Sequence, residues 1–212
     1  MSSSDIRAII ATAVEQENAT HHLRQRLQDN IPKLASRLEL PKEAPEEALL
    51  EFITGYIESV PGCISLVTAV SKQFGFHDYA APFLHIAEDY FLQPPDEVPE
   101  TGGLALLLDE AFLAHRLLEE VNDHHIRHVQ RPLLPLDMTE ANIIVHHLLG
   151  DPLANRLEQL VQYTASRLLE KEHVWDKVRK IPGATAMTTP LMDSHSLTSR
   201  THTVRLRLGP AA

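Results

Sequence analysis

The sequence predicts an all-α fold, a single-domain bundle of six to eight helices around a central apolar helix, with an extended or irregular C-terminal arm. Three observations carry this expectation. Apolar residues recur at 3.6-residue spacing through most of residues 1–181. The run LALLLDEAFLAHRLLEEV is apolar around most of its circumference, as a helix surrounded by other helices must be. Strand-like alternation appears only in VRLRL, within a Ser- and Thr-rich arm over residues 182–212.

The elements follow in order. Asp5 can cap a first helix over residues 5–29, with Ile6, Ile9, Ile10, Ala13, Leu27 and Ile31 along one side. Pro32 punctuates it, and a short helix through Leu34 and Leu38 precedes Pro41 and Pro45. A third helix starts near Glu46 and buries Leu49, Phe52, Ile53, Tyr56, Ile57 and Val60, with Pro61-Gly62 making a corner. The next helix ends at Gly75, and Asp78 starts one that carries Phe83, Leu84, Ala87, Tyr90 and Phe91. After a proline-rich acidic loop over residues 93–100, the central helix spans residues 101–131, with Asp109, Arg116, Glu120, Asp123 and Arg127 as its exposed stripe. Asp137 and Glu140 form a capping signal for a short helix ending at Gly150, and Asp151-Pro152 starts the last helix, residues 152–180. Over about 42 Å that helix is long enough to project from the body.

Bulk composition narrows the function. The 29 acidic and 19 basic residues leave a formal charge of −10, which argues against binding nucleic acid through its phosphates. A single cysteine, Cys63, rules out an internal disulfide framework and a thiolate zinc site, and suits a cytoplasmic setting. No stretch approaches the roughly 18 apolar residues of a membrane span, so a soluble protein is expected. Neither a glycine-rich phosphate loop nor a G-x-S-x-G nucleophile motif is present.

Thirteen histidines are the most suggestive feature. Projected at 100° per residue, Glu17 and His21 fall one turn apart on the apolar side of the first helix, so both can address one metal ion. An exposed mid-section is the alternative. On the central helix His115, Asn122 and His125 lie within the apolar arc, with Glu119 at its edge one turn beyond His115. Imidazole and carboxylate facing a bundle interior resemble in chemistry the sets that hold metals between helices; a buried histidine satisfied by a carbonyl is the alternative. Asn142 and His146 border the face of the short helix, where they can meet His115, Glu119 or Asn122 if the two helices are neighbours. Glu170 and His173 have E-x-x-H spacing but lie opposite the apolar face.

The stretches ATHHLRQRL and HHLLGDPLANRL resemble two helical segments of haem oxygenases. The resemblance implies His21 or His22 as haem ligand, with Gly150 and Asp151 on the distal side. Ala154 and Asn155 stand where that family has further glycines, so haem is the lesser alternative.

Together these features point to a metal-binding helical protein, an oxidative iron or manganese enzyme acting on a small apolar substrate, with zinc a weaker fit. Its metal ligands would be Glu17, His21, His115, Glu119 and His146, with Asn122, His125 and Asn142 orienting ligands or substrate. The competing expectation is a non-catalytic interaction or regulatory protein. It would dimerise or bind a partner through its last helix, or through strand addition by residues 203–208.

Overall fold

The structure, a computed structural model, describes residues 3–73, 75, 77–92, 103–130, 132, 137–169, 172–180 and 204–207. These form eight helices and two short strands. In chain order they are α1 (Ser3–Thr20), α2 (His22–Leu34), β1 (Leu38–Glu39), α3 (Pro45–Gln73), α4 (His77–Leu92), α5 (Leu104–Val129), α6 (Thr139–Leu149), α7 (Asp151–Leu169), α8 (Glu172–Val178) and β2 (Arg205–Leu206). The apolar run becomes α5, which packs against α1, α3, α4, α6, α7 and α8. Surrounded on so many sides, it buries Leu107, Ala111, Phe112, Leu117 and Val121 at the centre of one core.

That enclosure overturns part of the expected exposed stripe. Asp109 is 4% exposed and its neighbour Glu110 2%. Burial lifts the Asp109 carboxyl from its usual 3.8 to about 7, against the pull of Arg26. The Glu110 carboxyl rises from 4.5 to about 8, through burial first and the Asp109 charge second. The 100° projection sees one apolar face; it does not register that helices also cover the flank.

The single helix expected over residues 5–29 is two. His21 takes a left-handed conformation, φ 54°, and interrupts the hydrogen-bond ladder. Glu17 stabilises the interruption: its carboxylate oxygens accept the Leu23 and Arg24 amides at 3.0 and 2.9 Å. A buried side chain from the end of α1 thus supplies the N-terminal cap that the His21 side chain does not. Leu27 and Leu34 are buried on α2. The short helix expected through Leu38 is instead the end of α2, a turn and β1.

Pro61-Gly62 does not make a corner, because α3 runs through it unbroken. Interior proline costs about 3 kcal/mol through the lost N–H and ring clash. Burial of Val60, Pro61, Cys63 and Ile64 offsets this. By length and composition α3 also passes the test for a membrane span, contrary to the sequence expectation, with a window of mean hydropathy 1.3 of which half is buried. In this fold α1, α2, α4 and α5 pack against it.

Gly75, at φ 75°, precedes α4 as the sequence predicts. Gly150, at φ 84°, separates α6 from α7, and Asp151-Pro152 opens the latter. The C-terminal part of the expected last helix does not project: α8 packs against α5 and α7 and buries Trp175 and Val178. Trp175 is 1% exposed, donates its indole N–H to the Leu169 carbonyl at 2.7 Å and stacks on His128 with centroids 4.4 Å apart. An aromatic that large gains more by burial against α5 than by extending a solvated helix. The pairing of Glu170 with His173 lies outside the described residues.

The described part of the arm also returns. β2 pairs antiparallel with β1, Leu206 opposite Leu38 and Arg205 opposite Glu39. Arg207 donates its amide to the Arg37 carbonyl at 2.9 Å, and the Leu206 amide reaches Glu140 of α6 at 3.3 Å. Within this chain the arm thus adds as a strand to β1. The rest of residues 182–212 lies outside the described residues.

Candidate functional site

α5 and α6 are packed neighbours, and the polar edges they turn toward each other build the site. Glu119 of α5 is its hub. Its Oε2 accepts Asn142 Nδ2 of α6 at 2.6 Å and the guanidinium of Arg116; its Oε1 accepts Thr139 Oγ1 at 3.1 Å. A carboxylate has about four lone-pair positions, so these three donors leave one on Oε1 for another group.

From Glu119 the network runs inward. Asn142, 3% exposed, gives its amide hydrogens to Glu119, so its Oδ1 is left to accept the Tyr56 hydroxyl of α3 at 2.7 Å. Burial, then the Glu119 charge, holds the Tyr56 phenol well above its ordinary range, so it is a donor throughout. Beside it His115 is 1% exposed, its ring centroid 4.5 Å from that of Tyr56. His115 Nε2 lies 3.1 Å from the Tyr56 carbonyl and 2.9 Å from Ser59 Oγ, and Ser59 donates its own proton to that carbonyl at 2.7 Å. A carbonyl only accepts, so Nε2 carries the hydrogen and Nδ1 is the acceptor. Burial lowers the ring from 6.5 to about 4 and keeps it neutral.

A cavity of about 220 Å³ opens against this network, lined by Cys63, His115, Leu118, Glu119, Asn122 and Met138, with Asp123 and Asp137 also in its wall. Its walls are apolar on one part and acidic on the other. Burial first, and the Glu119 and Glu120 charges next, push the Asp123 carboxyl above the ordinary aspartate range. On the other side of Glu119 lies a more open groove of about 290 Å³, lined by Arg116, Thr139, Asn142, Ile143, His146 and Glu158. Within it His146 sits between two carboxylates, Nδ1 3.2 Å from Glu158 and Nε2 3.4 Å from Asp151.

The eight residues singled out by sequence therefore part company. His115, Glu119 and Asn122 line the cavity, and Asn142 and His146 lie in the adjoining groove. His125 is buried in an aromatic cluster instead, 6.4 Å from the Tyr79 ring. Glu17 caps α2, and His21 and His22 are exposed at the α1–α2 junction. Among the described residues no group of three His, Cys, Asp or Glu side chains is placed to hold a metal ion. Glu17 is held by the Leu23 and Arg24 backbone amides, and His115 is tied through Nε2 to the Tyr56 carbonyl and Ser59. His21 and His22, the haem ligands that the resemblance implies, are both exposed side chains.

Sequence reading missed Tyr56, Ser59, Arg116 and Glu158. Ser59 carried a usable signal, a hydroxyl within the buried stripe of α3 three residues from Tyr56. Neither hydroxyl nor thiol is an activated nucleophile: Ser59 donates to a carbonyl, and burial pushes the Cys63 thiol up to about 12. What the arrangement offers is a preorganised acidic acceptor over a neutral, hydrogen-bonded floor. No family model, curated protein or solved structure matches this chain.

Proposed function

We propose that this is a small-ligand-binding protein whose α3–α5–α6 cavity takes a compact organic cation. The carrying observation is Glu119: it is fixed by three donors, yet keeps an acceptor position in a cavity also walled by Asp123 and Asp137. An ammonium or amidinium head would donate to Glu119, and a short apolar body would lie against Leu118, Met138 and Cys63. Donors that hold the acceptor in place lower the ordering cost of binding. An iron or manganese enzyme acting on a small apolar substrate is the reading that histidine and carboxylate spacing favours alone. Three carboxylates at the cavity, Glu119, Asp123 and Asp137, with no group of three placed to hold a metal ion among the described residues, support the organic cation instead.

The test is thermal unfolding of the full chain with putrescine, agmatine, histamine or choline, and in parallel with manganese(II), iron(II) or zinc(II). At ten times its dissociation constant a ligand adds about 1.4 kcal/mol, a shift of about 3–6 °C for a chain this size. At least one amine should produce it, and Glu119→Gln with unchanged helicity should abolish it. No amine shift, or a shift only with a metal that His146→Ala removes, would overturn the reading.

A further inference from the structure

The small sheet has a property that the cavity does not explain. β1 has one strand partner among the described residues, and that partner comes from the far end of the chain. β2 finds its neighbours in β1 and α6. The fit between arm and seat is specific in three ways. Val204 is 7% exposed and Leu206 half-buried, while Arg205 between them faces out, so alternate side chains anchor the arm. Backbone groups of the seat are satisfied by the arm, through Arg207 to the Arg37 carbonyl. Charges are complementary: the seat presents Glu39 and Glu140, the arm Arg205 and Arg207, with Arg205 directly opposite Glu39.

Residues 181–203 join this arm to the bundle, a stretch whose extended reach is about 80 Å. A domain of this length is about 40 Å across. The tether is thus long enough for the arm to pass beyond its own body to that of a neighbour. We infer that Arg37–Glu39 and Glu140 form a strand-addition seat that exchanges occupants, taking Val204–Arg207 either from its own chain or from a second copy. In cis the seat and the arm belong to one molecule, so dilute protein seats its own arm. Exchange between copies follows when the cis arm is dislodged or when the protein is crowded. This inference does not depend on what the cavity binds.

Two full-length variants test it. Val204→Asp/Leu206→Asp keeps the seat and spoils the arm; Glu39→Lys/Glu140→Lys keeps the arm and repels it from its own seat. In analytical ultracentrifugation each alone should sediment as monomer, and the mixture should approach twice the monomer mass. Excess synthetic peptide of residues 201–209 should return the mixture to monomer, while a scrambled peptide of the same composition should not. A mixture that stays monomeric at several hundred micromolar overturns the inference. So does equal dimerisation of either variant alone, or equal competition by the scrambled peptide. Loss of helicity in Val204→Asp/Leu206→Asp also overturns it, since an exchangeable arm must leave a folded bundle behind.

Discussion

Glu110→Gln should flatten the pH dependence of stability between pH 6 and 8. The wild-type side chain is 2% exposed, and its Oε2 has no hydrogen-bond partner among the described residues. Its carboxyl is raised from 4.5 to about 8. In the unfolded chain this acid gives up its proton above the ordinary value; in the bundle it holds the proton until about pH 8. The folded state is therefore penalised as pH rises through that window, with the full penalty reached above the folded value. Integrating from pH 6 to pH 8 gives a loss of about 2 kcal/mol from Glu110. Asp109, raised from 3.8 to about 7, adds about 1 kcal/mol over the same interval. Urea unfolding followed by far-ultraviolet circular dichroism at the two pH values reads the sum directly. Neutral His115, lowered from 6.5 to about 4, returns about 1 kcal/mol over the same interval, so wild type should lose about 2 kcal/mol on going from pH 6 to 8 and Glu110→Gln almost nothing. Equal losses in the two proteins, or a wild type that gains stability with pH, would refute the argument from burial.

Two further substitutions probe other parts of the argument. Asn142→Leu leaves the Tyr56 hydroxyl without its acceptor and one acceptor position of Glu119 without its donor, and should cost about 2–4 kcal/mol in urea unfolding; a loss below 1 kcal/mol would mean the relay is not a connected unit. His21→Gly removes the left-handed penalty of a side chain at φ 54° and should raise stability by about 0.5–1 kcal/mol. Glu17→Ala should lower it by about 1–2 kcal/mol and speed amide exchange at Leu23 and Arg24 first.

The parts of the fold legible in the sequence were those fixed by local chemistry. Gly75, Gly150 and Asp151-Pro152 mark boundaries because only certain residues tolerate those backbone conformations. The all-round apolar run had to be a central helix because no other placement buries it. His21 was illegible: nothing about a histidine announces a left-handed residue, and the carboxylate that stabilises the break lies four residues earlier. The place of Trp175 was also illegible, because it is set by tertiary packing against Tyr79 and His128. At the site, one-turn spacing placed His115 with Glu119 and Asn142 with His146, and the proximity of α5 and α6 joined Glu119 to Asn142. Tyr56 and Ser59 come from α3, more than fifty positions earlier, and no local pattern links them to His115. Glu17 shows the limit of pattern reading: a buried carboxylate near a histidine has the same spacing whether it faces a metal or a helix end.

The pairing of Leu38 with Leu206 has a temporal side. Closing a loop of about 170 residues from an unfolded chain costs about 4–5 kcal/mol, more than a two-residue ladder returns. The ladder must therefore wait for the helices to assemble and carry its two ends together. On the ribosome, where elongation proceeds at about 5–20 residues per second, the first strand is made roughly ten to thirty seconds before the last. The seat itself is complete only once α6 has been made and packed, so it stands vacant for the shorter interval between α6 and β2.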